Sequence, residues 1–196
     1  AASPRYTGPV EIGKSARFRA TALREGGENA SYSREFAFSK STGRPAVLNT
    51  KPNDSYTFEG ASLLVDGYHS RPVFTSGAWL GYLDEPLDVT IDMGGEQSYR
   101  SVELETLAEK GDWIFPPSSV TVWVSDNGTD FTEVASVTVP EAKAGDADGI
   151  GRYRMQFPET SARYLKVVAQ NAAAIPAWHP GAGSKGFLFV DEVVVE

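Results

Sequence analysis

Two histidines and no cysteine leave this 196-residue chain few groups for nucleophilic or soft-metal chemistry. Without cysteine there is no disulfide framework, thiol nucleophile or Cys-ligated zinc. His69 and His179 are too few for a multi-histidine zinc site and poor material for a histidine-based triad. Paired carboxylates can hydrolyse glycosides, and the pairs present are Asp84-Glu85, Glu103 with Glu105, and Asp191-Glu192. Neighbours on a strand face opposite sides, so Asp191 and Glu192 are not expected to share a site. Glu103 and Glu105 share a face, but with Val102 and Leu104 opposite them they read as a solvated outer face. Asp84-Glu85-Pro86 reads as a loop tip. No serine has a histidine partner by signature, and no glycine-rich phosphate loop leads from a strand into a helix. Catalysis by this chain is not expected.

The aromatic residues offer different chemistry. Sugar rings present apolar C–H faces that stack on tryptophan, tyrosine or phenylalanine while polar neighbours bond the hydroxyls. Trp79 lies in Ser76-Gly77-Ala78-Trp79, Trp113 in Lys110-Gly111-Asp112-Trp113, and Trp178 in Pro176-Ala177-Trp178-His179-Pro180. All three stand in expected loops, whereas Trp123 stands in an expected strand and reads as core. Each loop tryptophan either plugs an end of the fold or touches ligand, and at least one is expected to touch ligand. His179 is either a donor and acceptor beside a stacking ring or the partner of a loop carbonyl. His69 and Arg71 share the loop after Asp66, and Arg71 can hold a hydroxyl pair bidentately or simply be solvated.

The elements that must position these residues are strands. Helical periodicity is almost absent, while period-two alternation recurs throughout. It marks Arg17–Ala22, Arg34–Phe38, Asp88–Met93, Ser101–Glu105, Ser119–Ser125, Phe131–Val139, Tyr153–Phe157, Tyr164–Ala169 and Phe187–Val195. Asp126-Asn127-Gly128 is a turn suited to positive φ, and Pro140–Gly151 reads as a long polar loop. Many short strands with Gly- and Pro-rich joints predict an all-β antiparallel sandwich. SKSTGRP, over Ser39–Pro45, interrupts the pattern. Residues 1–39 are therefore expected to hold about three strands of a truncated domain, 40–45 a linker, and 46–196 a complete core.

Hydrophobic residues at 41% and charged residues at 22% are globular proportions. Eighteen basic against 26 acidic residues leave a net charge of −8, so binding to nucleic acid or to anionic lipid is not expected. No apolar run approaches the roughly 18 residues that cross a bilayer, so insertion in a membrane is not expected either. The opening AASPRYTGP has neither the basic region nor the apolar core of a signal peptide.

Residues 46–196 resemble the discoidin, or coagulation-factor 5/8 type C, family, which includes the family 32 carbohydrate-binding modules. The resemblance is carried by Leu63-Leu64-Val65-Asp66-Gly67, Trp79-Leu80-Gly81-Tyr82, Val89–Gly94, Val120–Phe131 with its SDNGTDF turn, Ala162–Val167, and the terminal FVDEVVV. It implies a jelly-roll-like sandwich that binds sugar at loops on one end, with Trp178, His179, Trp79, Trp113, His69, Arg71 and Tyr82 as candidate contacts. It also implies a structural calcium ion held by Asp66, Glu192 and the carbonyls of Leu63 and Tyr68, although Arg71 stands where the family's run Asp-Gly-Asn-x-Ser-Thr places its threonine; the alternative is that Asp66 caps a turn and Glu192 pairs with a nearby base. Residues 1–39 are similar to the second half of the immunoglobulin-like domain of chitobiase-like family 20 β-hexosaminidases. WIFPPSSV (Trp113–Val120) and PAWHPGAGSKGFLFVDE (Pro176–Glu192) look like the module carried by those bacterial enzymes. The expectation is a non-catalytic accessory region of an exported β-N-acetylhexosaminidase (secreted, periplasmic or at the cell surface) that holds the enzyme near glycans ending in galactose- or N-acetylhexosamine-type sugars. The alternative is a discoidin-type domain that binds proteins in adhesion and no sugar.

Overall fold

The computed structural model describes residues 4–27 and 29–196. Of the opening AASPRYTGP, the first three residues lie outside it. Among the described residues nine strands form: β1 (Ala16–Ala22), β2 (Ala30–Phe36), β3 (Ala46–Leu48), β4 (Leu80–Tyr82), β5 (Leu87–Ala108), β6 (Ser119–Ser125), β7 (Thr132–Thr138), β8 (Gly149–Gln170) and β9 (Leu188–Val195). Helix among the described residues is confined to short 3-10 turns at Asp54–Tyr56, Gly60–Val65, Phe74–Ser76 and Lys110–Asp112. Among the described residues no helix is long and apolar enough to cross a membrane.

The main sheet runs β4-β9-β5-β8-β6-β7, with β3 also paired to β5. Its two longest strands make the sandwich. β5 and β8 are 22 residues each, and both bend midway. The start of β5 (Leu87–Asp92) pairs with the end of β8 (Tyr164–Ala169), and its end (Ser101–Ala108) pairs with the start of β8 (Gly149–Gln156). Register shifts between Asp92 and Gln97 and between Tyr99 and Ser101 mark the corner, where bulged backbone turns one ladder into two packed layers. Gly94 sits there at φ 79°, and a Cβ in its place would meet the Arg44 Nη1 at 2.8 Å. The sequence reading split each of these strands in two because the bends erase the alternation.

Inward positions alternate as a half-buried strand requires. Val89, Ile91 and Met93 of one layer meet Val102, Leu104, Val193 and Val195 of the other, with Val120, Val122, Val124, Leu165 and Val167 closing the core. The Gly60–Val65 turn inserts Leu63, Leu64 and Val65 into it. Trp123 is not a core residue. The rule that points Val122 and Val124 inward points Trp123 outward, half-buried, opposite Lys166 of β8.

β1 and β2 form a separate antiparallel hairpin, largely exposed, so the described residues of the first segment hold two strands where about three were expected. The hairpin leans on the main domain through Arg34, whose guanidinium lies 3.7 Å from the centre of the Tyr68 ring. Residues 40–45 do not behave as a loose linker. Lys40 N–H donates to Val195 O (3.0 Å), Ser41 Oγ to Val193 O (2.5 Å) and Gly43 N–H to Val65 O (2.7 Å). The segment is stitched along β9.

Candidate functional site

Three long loops leave the sandwich at the same end. Ala108 pairs with Gly149, and Ser119 with Gln170, so the segments after β5, β7 and β8 must emerge together. The β5–β6 loop carries Trp113 and the β8–β9 loop carries Trp178 and His179. Trp113 is 43% exposed and Trp178 40%. Their rings flank the His179 imidazole, at centroid distances of 6.1 and 5.6 Å, and Phe115 packs beneath it at 5.5 Å.

His179 organises this group and is itself buried. Its Nδ1 accepts from Gly181 N–H (3.0 Å), which leaves Nε2 to donate to Lys110 O (2.9 Å). Both ring nitrogens are occupied, so the expected contact between His179 and a ligand is not available. Pro176 O accepts from His179 N–H at 3.0 Å, closing the turn that displays Trp178. Trp178 Nε1 donates to Ala142 O at 2.9 Å, tying its loop to the β7–β8 loop. Lys110 ties the third, with Nζ donating to Asp146 O (2.9 Å) and paired with the Asp148 carboxylate. That pairing holds the Asp148 carboxyl below its usual value.

Trp113 adopts the left-handed conformation, φ 64° and ψ 26°. Among the described non-glycine residues only Phe58 shares a positive φ. For a bulky side chain this costs about 1–3 kcal/mol and persists where surrounding structure enforces it, often at ligand sites. Gly181 makes it possible, since a Cβ there would lie 2.8 Å from the indole. Beside Trp178 opens an apolar cleft of about 390 Å³ between Phe115, Pro116, Pro140, Ala142, Ile175 and Pro176. Glu141 lines this cleft as an exposed carboxylate, and the exposed Asp112 immediately precedes Trp113.

The other candidates fall elsewhere. Trp79 is fully buried with Leu107, Ile114 and Phe189, its Nε1 donating to Arg71 O at 3.0 Å. It is a plug. Tyr82 lies in the main core, because the Leu80–Tyr82 run became strand β4 against β9. Arg71 is exposed. His69 lies over the outer face of β5, its Nδ1 2.9 Å from Glu105 Oε2, and that hydrogen bond raises its pKa.

A second cluster forms where β5 meets β9, against the expected strand faces of Glu105, Asp191 and Glu192. Glu105 is 1% exposed and not on a solvated face, because the 66–71 loop covers it. Asp191 and Glu192 do share a site. The pairing jumps from Leu104–Val193 to Thr106–Val190, so both residues stand opposite Glu105 in a bulge. Ser70 N–H donates to Asp191 Oδ2 (2.7 Å), Gly67 N–H lies 3.3 Å from both Glu192 oxygens, and Tyr68 N–H donates to Asp66 Oδ1 (2.7 Å). Burial, reinforced by Asp66 and Asp191, pushes the Glu192 carboxyl up to about 10. Burial pushes Asp191 up to about 8, with Glu105 and Asp66 adding to it, and raises Asp66. One Glu105 oxygen has no hydrogen-bond partner.

Oxygen donors of this kind suit a hard cation. Among the described residues no three metal-ligating side chains converge, so a cation here would rest on Asp66 and Glu192 completed by carbonyls. Arg71 does not oppose it, since its side chain is exposed. Two adjacent acidic residues in the otherwise apolar run Phe187–Val195 were the sequence signal for the bulge.

A family model described as F5/8 type C domain matches residues 49–185. No curated protein sequence matches the chain. Among solved structures, the chain is similar to the Clostridium perfringens module CpGH89CBM32-5 in complex with GalNAc-β-1,3-galactose, at 16% identity and TM-score 0.50, covering 77% of this chain and 93% of that one. It is also similar to chitosan-binding module 2 of a Paenibacillus sp. IK-5 chitosanase/glucanase in complex with chitotriose, at 18% identity and TM-score 0.51, covering 80% and 98%. Chitosan-binding module 1 of the same enzyme matches at 17% identity and TM-score 0.50, covering 81% and 98%. At these identities the likeness establishes the fold.

Proposed function

From the premise that the chain belongs to the F5/8 type C domain family, we propose that it is a carbohydrate-binding module whose ligand stacks on Trp113 and Trp178. The observation that carries this reading is the pair of half-exposed indoles, delivered by separate loops onto one buried histidine, with one backbone held in a strained conformation. Sugar-binding structural neighbours support the class of ligand, and galactose- or N-acetylhexosamine-type termini are its proposed form. The proposed binding is non-catalytic: the buried carboxylates lie under the 66–71 loop, and the exposed Asp112 and Glu141 near the indoles serve as acceptors for sugar hydroxyls. Weak stacking gains its effect by keeping an attached enzyme near its substrate. The parent is proposed to be an exported β-N-acetylhexosaminidase, with residues 1–39 derived from its immunoglobulin-like domain.

The same reading assigns a structural calcium ion to Asp66 and Glu192, with Leu63 and Tyr68 as carbonyl donors. Supporting it are the carboxyls' burial, their mutual repulsion and the oxygen-only donor set. The ion would supply positive charge to this cluster and fix the 66–71 loop on β9.

A glycan array followed by titration tests the function. Trp178→Ala should abolish detectable binding with the fold intact, because Trp178 belongs to neither core cluster. Unchanged affinity in Trp178→Ala overturns the site. Silence on all glycans together with capture of a protein ligand overturns the function in favour of adhesion.

A further inference from the structure

A second concavity lies away from the loop end, on the outer face of the layer formed by β9, the end of β5 and the start of β8. It is an open groove of about 320 Å³. Its floor is polar side chains on rigid strands: Glu103 of β5 stands opposite Arg154 of β8, and Glu105 opposite Arg152. One wall is Phe38 with its neighbours, and another is His69. The Phe38 wall is held in place, since Ala37 N–H donates to Gly67 O (2.7 Å) and Val195 N–H to Ser39 Oγ (3.3 Å).

The polar groups are fixed from below and unfilled above. Buried Glu105 accepts from Arg152 Nε and holds His69 Nδ1, each at 2.9 Å through the same oxygen. Among the described residues neither Nη of Arg152 has a hydrogen-bond partner, and Glu103 approaches Arg152 Nε only to 3.8 Å. Arg154 uses one Nη, on Ser101 Oγ (3.1 Å) and the Glu196 carboxylate. Its Nε and other Nη are unpartnered among the described residues. Guanidinium donors and carboxylate acceptors thus alternate across a concave floor, with an aromatic edge at the wall.

We propose that this groove is a second binding site, for one neutral polyhydroxylated ring. The charges favour a neutral ligand, because the lining arginines Arg152 and Arg154 are matched by the lining carboxylates Glu103 and Glu196, and buried Glu105 beneath them holds His69. A vicinal diol both donates and accepts, which matches interleaved arginine and glutamate. The volume stands at the lower end of ligand pockets, room for a single ring and not an extended chain. Phe38 supplies an apolar edge for its C–H face. The Phe38 wall lies outside the family-matched residues 49–185, and the groove stands whether or not Trp178 binds sugar.

The test uses the full chain carrying Trp113→Ala and Trp178→Ala, which silences the loop end. Amide-resolved NMR titration with galactose, N-acetylgalactosamine, mannose, glucose and glucuronate reports where each binds. A neutral sugar should shift amides at 101–105, 152–154 and 194–196, with millimolar affinity, more tightly than glucuronate. Adding the near-isosteric Glu103→Gln, or separately Arg154→Gln, should weaken that binding by about ten-fold, the loss of one charged hydrogen bond. No shift in this region with any sugar, preference for glucuronate, or affinity unchanged in both variants overturns the proposal. Failure of the loop-end site is read separately, as a native chain whose binding Trp178→Ala leaves intact.

Discussion

Glu192→Gln should stabilise the calcium-free protein at neutral pH and abolish its stabilisation by calcium. Burial lifts the Glu192 carboxyl to about 10 and Asp191 to about 8 in the folded protein, against 4.5 and 3.8 for the free groups. Folded-state values above the unfolded ones mean the folded form binds more protons over the interval, so stability falls as pH rises through it. Each such group removes about 1.4 kcal/mol per pH unit. Between about pH 5 and pH 7 the pair removes about 5 kcal/mol, comparable with the whole stability of many domains. A calcium ion on Asp66 and Glu192 keeps Glu192 ionised and, through its charge, favours ionised Asp191 beside it, which removes that slope.

Thermal melts across this pH range, in chelator and in calcium, measure the effect. In chelator the melting temperature should fall steadily with pH, and calcium should restore it most at the alkaline end. Glu192→Gln removes one of the two protons from the balance, so about half the slope and all of the calcium response should vanish. His69, with its pKa raised by Glu105, also loses its contribution as pH rises, but it does so equally in both proteins, and the comparison cancels it. A flat profile in chelator, unmoved by calcium, refutes the reasoning.

Trp79→Ala deletes a fully buried indole and strands Arg71 O, so it should cost about 3–5 kcal/mol, read by chemical denaturation. A loss below about 1 kcal/mol would show that Trp79 is not the plug its burial implies. Removing residues 1–36 should leave the melt cooperative and little changed, since the hairpin is largely exposed. Extending the deletion through residue 45 should lower the melting temperature distinctly, because Lys40, Ser41 and Gly43 bond β9 and the Gly60–Val65 turn. Equal melting of the two truncations would place the boundary where SKSTGRP first suggested it.

Several features were legible because they are local. Asp126-Asn127-Gly128 turns as expected, with Gly128 at φ 76° and Asn127 Oδ1 collecting the amides of Thr129 and Asp130 at 2.9 Å each. The alternation around Val120, Val122 and Val124 gave the buried face directly. Misplacing Trp123 came from letting residue type outrank phase, although the phase already pointed it outward. β3 and β4, three residues each, are too short for any period to show. The carboxylate cluster was illegible for a different reason: Glu105, Asp66 and the Asp191-Glu192 pair meet only through the pairing of β5 with β9 and the return of the 66–71 loop, contacts between residues as many as 125 positions apart. Strand alternation predicts that adjacent side chains diverge, and a bulge is the exception that makes them converge.

The three loop tryptophans show what a sequence lacks for separating plug from platform. Trp79 and Trp178 each donate Nε1 to a loop carbonyl, Arg71 O and Ala142 O, at 3.0 and 2.9 Å. The hydrogen bond is therefore common to both roles and identifies neither. What differs is the surroundings of the ring. Trp79 immediately precedes β4, which enters the sheet beside β9, so its ring is carried down onto Leu107 and Phe189. Trp178 stands in a turn closed by His179 N–H on Pro176 O, eight residues clear of the strand end at Gln170, and its ring leans on Phe115 and His179, outside both core clusters. A tryptophan one step from a strand is drawn into the core by the strand's own pairing. One held in mid-loop by a second loop keeps a face for ligand, and Trp113, gripped by Gly181, is held the same way.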